Sequence, residues 1–244
     1  MMLAPPLTAL TDLDHELARE GFAVLAADGL CQLMNCQVAD LATWPDFWNH
    51  MPADGYLKDG GRYRRRRHGC YIVEGDSVRL VPQRPHWQPV SYNALHGGIE
   101  RHFEAIEPAL TNDPLWSRWL AAMAARASAL KGLRTWYVEA HPFRIDTTDG
   151  IGRPTPEGAH RDGVDLVTVT LVARHGVKGA ETRVFAAEGR HGQRFTLTEP
   201  WSTLLLDDER VVHESTPIQP LEPGAGGYRD TLVLTFRSGG FQGP

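Results

Sequence analysis

After Gly132 the chain is dominated by short segments of strand type. Seven segments rich in β-branched and aromatic residues follow one another at the short intervals typical of a sandwich or barrel. Clusters of Gly, Pro, Asp and Glu separate them, and no helical pattern of ordinary length intervenes, which disfavours a parallel doubly wound sheet. Their residue numbers are 135–145, 165–173, 181–187, 194–197, 201–207, 210–215 and 230–236. The pattern predicts a mainly β fold with flanking helices, a β-sandwich or jelly roll.

The first half of the chain reads as mixed and partly helical. Apolar residues at spacings of three and four predict helices over 7–19, 30–41 and 114–131, and residues 22–25 predict a short strand. Pro114 just inside its start and Gly132 just past its end make the third helix the clearest. We expect a single domain over residues 1–244, with a helical part at about 1–132 and a jelly-roll core at about 133–238. The helices are expected to pack on one outer face of the core.

Composition removes several function classes. Hydrophobic residues make up 42% and charged residues 23% of the chain, and the formal net charge is −5, which argues against disorder and against a nucleic acid held by general electrostatics. No stretch approaches the roughly 20 apolar residues of a membrane-spanning helix, and the N-terminus lacks the pattern of a signal peptide. Three cysteines, Cys31, Cys36 and Cys70, predict packing rather than a disulfide framework. We expect a cytoplasmic protein without a membrane partner.

Side chains alternate between two faces along the predicted strands. In the last strand, Arg229 and Thr231 share one face, and Leu232 and Leu234 share the other. In the segment 135–145, polar residues such as His141 likewise share one face. A sheet with one apolar and one mixed polar face is commonly half solvated. An enclosed polar cavity explains the same pattern equally well, and the sequence leaves both possibilities open.

Three residues have the chemistry of a metal site. His160 and Asp162 lie two positions apart in an extended stretch, so both side chains can reach one cation. Such a pair can arise by chance, but it comes just before a strong strand. A further histidine, His213, ends another strand, and enough strands intervene to bring it back beside the pair. Two histidines and one carboxylate form the facial triad of non-haem Fe(II) oxygenases, which leaves three coordination positions open.

Arg229 and Thr231 add an anion-binding pair, because an arginine that points into a cavity requires an anionic partner there. This order of motifs resembles that of the bacterial 2-oxoglutarate/Fe(II)-dependent amino-acid dioxygenases, a group that includes L-isoleucine 4-hydroxylase. The matching segments are RYRRRRHGCY (62–71), EAHPFR (139–144), AHRDG (159–163), VVHESTP (211–217) and YRDTLVLTF (228–236).

The resemblance implies a fold, a reaction and a set of residue roles. The fold is the double-stranded β-helix, the cupin-like jelly roll. Fe(II) would be held by His160, Asp162 and His213, and the far carboxylate of 2-oxoglutarate by Arg229 and Thr231. With O2, the enzyme would hydroxylate a small substrate, a free aliphatic L-amino acid, at a side-chain carbon. The residues expected to grip the substrate are Arg66, His141 and Arg144, with Glu139 facing its ammonium group.

Several alternatives stay open. His102 and Glu104 form a His-x-Glu pair, but a helix there would point them apart. The run Arg64–Arg67 fits a nucleic-acid patch, a charged strand edge, or an alternation in which Arg64 and Arg66 face the cavity. The competing functions are a cupin-like metal enzyme of another reaction type and a jelly-roll protein that binds a ligand without turnover. Iron-dependent release of succinate from 2-oxoglutarate separates them from the oxygenase.

Overall fold

The computed structural model describes residues 2–93, 95–132 and 135–244. Thirteen strands form its framework within these residues. In chain order they are β1 (Phe22–Leu25), β2 (Arg64–Arg66), β3 (Gly69–Glu74), β4 (Ser77–Leu80), β5 (Trp136–Asp146), β6 (Leu166–His175), β7 (Val177–Gly179), β8 (Thr182–Ala186), β9 (Gly192–Phe195), β10 (Thr203–Asp207), β11 (Val211–Ser215), β12 (Ile218–Pro220) and β13 (Tyr228–Ser238).

Eight of these strands form one large antiparallel sheet. Its order is β1-β10-β6-β13-β5-β3-β4, and β2 also pairs with β5. A second layer consists of the three-stranded sheet β11-β8-β9 and the two-stranded sheet β12-β7. An isolated bridge between His160 and His213 extends the three-stranded sheet by one more segment. Two facing antiparallel layers of this kind make a jelly roll, which confirms the predicted fold class.

Apolar side chains fill the space between the two layers at both ends. At one end, residues of β6 and β10, such as Val167 and Leu204, pack against Val184 and Phe195 of the smaller sheet. A smaller cluster around Ile145 and Ile218 closes the other end. The middle of the interior is left to polar side chains. The mixed polar face of the strands therefore lines an enclosed cavity and is not a solvated surface.

The helices cover the outer face of the large sheet, as predicted. They are α1 (Leu13–Glu20), α2 (Ala27–Met34), α3 (Pro108–Thr111) and α4 (Pro114–Lys131). One 3-10 helix, Leu10–Asp12, precedes α1, and two, Val38–Leu41 and Trp44–Trp48, follow α2. The bounds of α4 match the prediction. Asp113 caps its first turn by accepting the N–H of Leu115 at 2.9 Å. Trp48, in the 3-10 helix Trp44–Trp48, attaches the helical part to the large sheet, since its indole Nε1 donates to the Thr231 carbonyl oxygen of β13 at 3.2 Å.

The first 132 residues differ from the prediction in three respects. The first helix begins at Leu13, after the 3-10 turn Leu10–Asp12, instead of at residue 7. The second helix ends at Met34 instead of residue 41, because Asn35 adopts a left-handed conformation with φ 50°. Besides the predicted strand β1, strands β2 to β4 also lie in this half; β1, β2 and β3 pair with strands of the second half, and β4 pairs with β3. The first half is therefore only partly helical and belongs to the same sheet as the core. Cys31, Cys36 and Cys70 are unpaired. None of the helices in the described part of the chain is long and apolar enough to cross a membrane.

Candidate active site

His160, Asp162 and His213 converge at the edge of the smaller sheet. His213 lies in β11, and the backbones of His160 and His213 exchange hydrogen bonds of 3.1 and 3.0 Å. This bridge places the two rings 4.7 Å apart. The Nε2 atoms of His160 and His213 lie 3.8 and 4.0 Å from the carboxylate oxygens of Asp162. One ligand atom from each residue lies within 4.8 Å of the other two, a spacing that a single transition-metal ion can bridge.

A histidine that binds a metal must offer a lone pair. Burial lowers the pKa of His160, but the nearby carboxylates of Asp162 and Glu157 outweigh burial and raise that pKa above its ordinary value. Nδ1 of His160 lies 3.0 Å from the Gly158 carbonyl oxygen. Since a carbonyl only accepts, the Nδ1 atom carries the proton and Nε2 is free to bind a metal. Burial, with a smaller effect of the neighbouring His160, lowers the pKa of His213 to about 4. His213 is therefore neutral at physiological pH.

Two further residues hold Asp162 in place. The carboxylate of Asp208 accepts the backbone N–H groups of Asp162, Gly163 and Val164 at 3.0, 2.7 and 3.1 Å. Gln88 donates from Nε2 to Oδ1 of Asp162 at 2.9 Å. One contact fixes the backbone of the loop and the other fixes the carboxylate. Such outer contacts orient the residues that bind a metal directly.

Arg229 and Thr231 face the same cavity from β13. The side chain of Arg229 is 3% exposed, and its Nε and Nη2 atoms have no hydrogen-bond partner among the described residues. Burial and the nearby charge of Arg174 lower its pKa to about 10, so it stays protonated at neutral pH. A buried guanidinium with two free donors is complementary to a carboxylate. Thr231, two residues along the same face of β13, adds a hydroxyl to the same part of the cavity.

Three more arginines line the cavity, which has a volume of about 130 Å³. Arg64 is paired with the buried Asp54 at 2.7 Å. Arg66 and Arg101 are 3% and 2% exposed, and neither is paired with a carboxylate in the described residues. The guanidinium of Arg66 lies between the rings of Phe103 and Phe143, at 3.9 and 4.4 Å from their centres. The cavity wall therefore holds two buried cations beside the one on β13.

Comparison with protein families decides the identity of this site. The family model described as 2OG-Fe dioxygenase matches residues 45–235, most of the chain. This chain belongs to the 2OG-Fe dioxygenase family. Family membership implies Fe(II), 2-oxoglutarate and O2. The dioxygenase has residues that fit both groups: a His-Asp-His set for the metal, and the unpartnered donors of Arg229 for a carboxylate.

Relatives of this dioxygenase extend over nearly its whole length. A crystal structure described as a bsmA homolog, from Methylobium petroleophilum, is 48% identical, has a TM-score of 0.92, and covers 99% of this chain and 98% of its own. The 3(1)-hydroxy-L-isoleucine 4-dioxygenase of Pantoea ananatis is 20% identical over 91% of this chain and 93% of its own. The structure of IDO from Bacillus thuringiensis is 21% identical with a TM-score of 0.75, over 95% of this chain and 100% of its own. At that identity the likeness shows the fold alone.

A second polar cluster in the dioxygenase consists of His68, His86, Glu139 and His141, which also have the spacing of metal ligands. The Oε2 atom of Glu139 lies 2.6, 3.2 and 3.5 Å from nitrogens of His86, His68 and His141. Arg66 donates from Nη2 to Nδ1 of His141 at 2.7 Å. Because a guanidinium only donates, the proton of His141 is on Nε2, which a metal would need free. The hydrogen bonds favour a carboxylate that accepts from the surrounding histidines over a metal site.

The structure brings most of the predicted site residues together, but Arg144 lies elsewhere. Arg144 donates to both carboxylate oxygens of Asp230 at 2.8 and 2.7 Å, outside the cavity. It stands three residues from His141 along β5, and an odd separation in a strand places two side chains on opposite faces. Arg144 is therefore not positioned to grip a substrate in the cavity. Glu139, which was expected to face the ammonium group of the substrate, is occupied by hydrogen bonds to its neighbouring histidines. Residues 102–104, where the sequence suggested a helix, form none.

Four residues of the site were missed from the sequence: Gln88, Arg101, Glu157 and Asp208. All four lie outside regular helices and strands, so no periodicity marks them. Gln88 and Arg101 are brought to the cavity by an isolated bridge between residues 86 and 101, which depends on a pairing across a loop. Only Glu157 offered a local signal, because it comes three residues before His160 in the segment that leads into the metal motif.

Proposed function

We propose that this 2OG-Fe dioxygenase hydroxylates a free amino acid at a side-chain carbon. In this proposal His160, Asp162 and His213 hold Fe(II), while Arg229 and Thr231 bind the far carboxylate of 2-oxoglutarate. The observation that carries the substrate class is the pair of buried cations, Arg66 and Arg101. Their Nε atoms are buried and have no hydrogen-bond partner in the described residues. Since unpaired buried charges are costly, we infer that the substrate brings a carboxylate.

Arg66 is held ready for that carboxylate before any ligand binds. Two aromatic rings enclose its guanidinium, and His141 accepts one of its N–H groups. His141 is in turn oriented by Glu139. We therefore assign His141 the role of positioning Arg66, whereas the sequence analysis expected it to touch the substrate. Preorganised contacts of this kind reduce the entropy lost on binding.

The cavity also fits the rest of an aliphatic amino acid. Val169 and Val233 form apolar parts of its wall, against which a hydrocarbon side chain can pack. When bound, the iron and 2-oxoglutarate supply the oxidising chemistry with O2. The protein binds the substrate by its charged end, directs its side chain toward the metal ligands and excludes water from the cavity. The name of the Pantoea relative, a dioxygenase of a hydroxylated isoleucine, supports the same substrate class.

A panel of free L-amino acids tests the proposal. Each is incubated with enzyme, Fe(II) and 2-oxoglutarate, and mass spectrometry measures a product heavier by one oxygen alongside succinate. We expect at least one free amino acid to be hydroxylated, and its methyl ester and N-acetyl form to fail. Equal turnover of the ester would refute the role of the buried arginines. Ligand binding without succinate would favour the ligand-binding protein, and iron-dependent turnover without succinate would favour another cupin-type reaction.

Matched variants connect the result to the geometry. Arg66→Gln removes a buried cation that faces the cavity, whereas Arg65→Gln removes its neighbour on β2, which points outward and is 41% exposed at the side chain. We expect Arg66→Gln to raise KM for the amino acid by roughly 10- to 100-fold, the value of one charge-assisted hydrogen bond. Arg65→Gln should leave KM within about twofold. Equal effects of the two changes would contradict the assignment.

A further inference from the structure

Glu157 is a buried carboxylate that lines the cavity without a hydrogen-bond donor. Its side chain is 12% exposed, and Oε1 lies 3.7 Å from Nε2 of His160, beyond hydrogen-bonding distance. The other oxygen, Oε2, is buried and has no partner among the described residues. A carboxylate in this position costs free energy unless a donor or a cation satisfies it.

Metal binding makes this requirement stronger. In the proposed iron site, Nε2 of His160 gives its lone pair to the metal and cannot carry a proton toward Glu157. His160, whose Nε2 atom lies 3.7 Å from the Glu157 carboxylate, then offers that carboxylate no N–H group. Arg101 does not satisfy it either, since its Nη2 atom donates to Oε1 of Gln88 at 2.9 Å. The charge of Glu157 does act on Arg101 at longer range, where it partly offsets the effect of burial on the pKa of Arg101.

The cavity therefore presents one unpartnered carboxylate and two guanidiniums with free N–H groups. This charge pattern is complementary to a molecule that carries a cationic and an anionic group. The other carboxylate considered for the cation, Glu139, already faces three histidine nitrogens. Asp54 is likewise occupied by Arg64. Of these three carboxylates, only Glu157 is left for the cationic group.

We propose that Glu157 binds the protonated amino group of the substrate, opposite the guanidiniums that bind its carboxylate. This inference rests on the proposed function, because it deepens the assignment of a free amino acid as the substrate. It makes Glu157 a specificity-determining residue that selects amino acids over acids of the same carbon skeleton without the amino group.

The test measures binding instead of turnover. Protein is loaded with Fe(II) and 2-oxoglutarate without oxygen, and calorimetry measures the affinity for each free L-amino acid and for the matching acid that lacks the amino group. The variant Glu157→Gln keeps the shape of the side chain and removes its charge. The control, Glu214→Gln, changes a carboxylate next to His213 that pairs with Arg183 at 3.1 Å and does not line the cavity. Iron content is measured for every protein.

We expect Glu157→Gln to weaken binding of the amino acid by roughly 10- to 100-fold, the range of a charge-assisted hydrogen bond. Binding of the acid without the amino group should not weaken, and Glu214→Gln should behave like wild type. Unchanged amino-acid affinity in Glu157→Gln would overturn the inference. So would a loss of iron with normal amino-acid affinity in the loaded protein, since Glu157 would then serve the metal. If wild type binds no free amino acid, the proposed function itself fails, and this inference with it.

Discussion

Replacing Arg229 with Leu separates cosubstrate binding from metal binding. Arg229 is buried, and its two unpartnered donors, Nε and Nη2, face a cavity that the metal ligands share. Each hydrogen bond to a charged group contributes about 1.5–3 kcal/mol. Loss of two such bonds to the far carboxylate of 2-oxoglutarate costs about 3–6 kcal/mol, which corresponds to roughly two to four orders of magnitude in affinity. Arg229→Lys keeps the charge but not the planar fork, so its loss should be intermediate.

The same substitution has a distinctive effect on stability. In the ligand-free protein the guanidinium is a buried charge without a carboxylate partner, so its removal should leave the free energy of unfolding unchanged or raise it. The assay is calorimetric titration of 2-oxoglutarate into iron-loaded, oxygen-free protein, together with iron content and urea unfolding. Weak cosubstrate binding in a stable, iron-replete Arg229→Leu protein is the expected result. Parallel loss of iron, or an affinity within about threefold of wild type, would refute the reasoning.

Three further predictions concern the groups around the cavity. Asp208→Ala removes the acceptor of three loop N–H groups and should lower iron affinity, measured by dialysis, by roughly 10- to 100-fold. Unchanged affinity would show that the loop keeps its conformation without Asp208. Asp54→Ala leaves Arg64 buried without its partner and should lower the free energy of unfolding by about 3–5 kcal/mol, measured in urea; a loss below about 1 kcal/mol would contradict a buried ion pair. Burial lowers the pKa of His86 from 6.5 to about 4. Between pH 4 and pH 6.5, His86 is therefore protonated in the unfolded chain and neutral in the folded chain. Stability should therefore decrease as the pH is lowered from 6.5 to about 4, by about 1.4 kcal/mol per pH unit, and His86→Gln should reduce that slope.

Local sequence patterns predicted the elements that depend on local interactions. The helix at 114–131 was placed at its observed bounds because Pro114 and Gly132 mark its ends. Seven of the nine strands in the described part of the second half were found because β-branched and aromatic residues are enriched along them, whereas the three-residue strands β7 and β12 were missed. The helix expected to reach residue 41 was too long, because periodicity does not register the left-handed turn at Asn35. Strands β3 and β4 were missed: β3 pairs with β5, a contact between distant parts of the chain, and β4 pairs only with β3 among the described strands.

The residues of the candidate site likewise divide into those that local sequence patterns predict and those that they do not. His160, Asp162 and His213 could be proposed from spacing and from their position at strand ends, and Arg229 from the face it shares with Thr231. The prediction that Arg144 grips the substrate neglected the two-residue periodicity of β5, which places the side chains of Arg144 and His141 on opposite faces of the sheet. Residues that reach the cavity from loops, such as Gln88 and Glu157, have no spacing rule, since the three-dimensional course of the loop alone determines which side chain points inward.

Iron binding by two matched variants tests the central claim most directly, because two clusters among the described residues have the spacing of metal ligands. Asp162→Asn and Glu139→Gln each replace one carboxylate by its amide, one in each cluster. Equilibrium dialysis of Fe(II) without oxygen measures the affinity of both, and circular dichroism confirms that they are folded. The account predicts that Asp162→Asn loses iron while Glu139→Gln binds it like wild type. Iron lost in Glu139→Gln and retained in Asp162→Asn would contradict it.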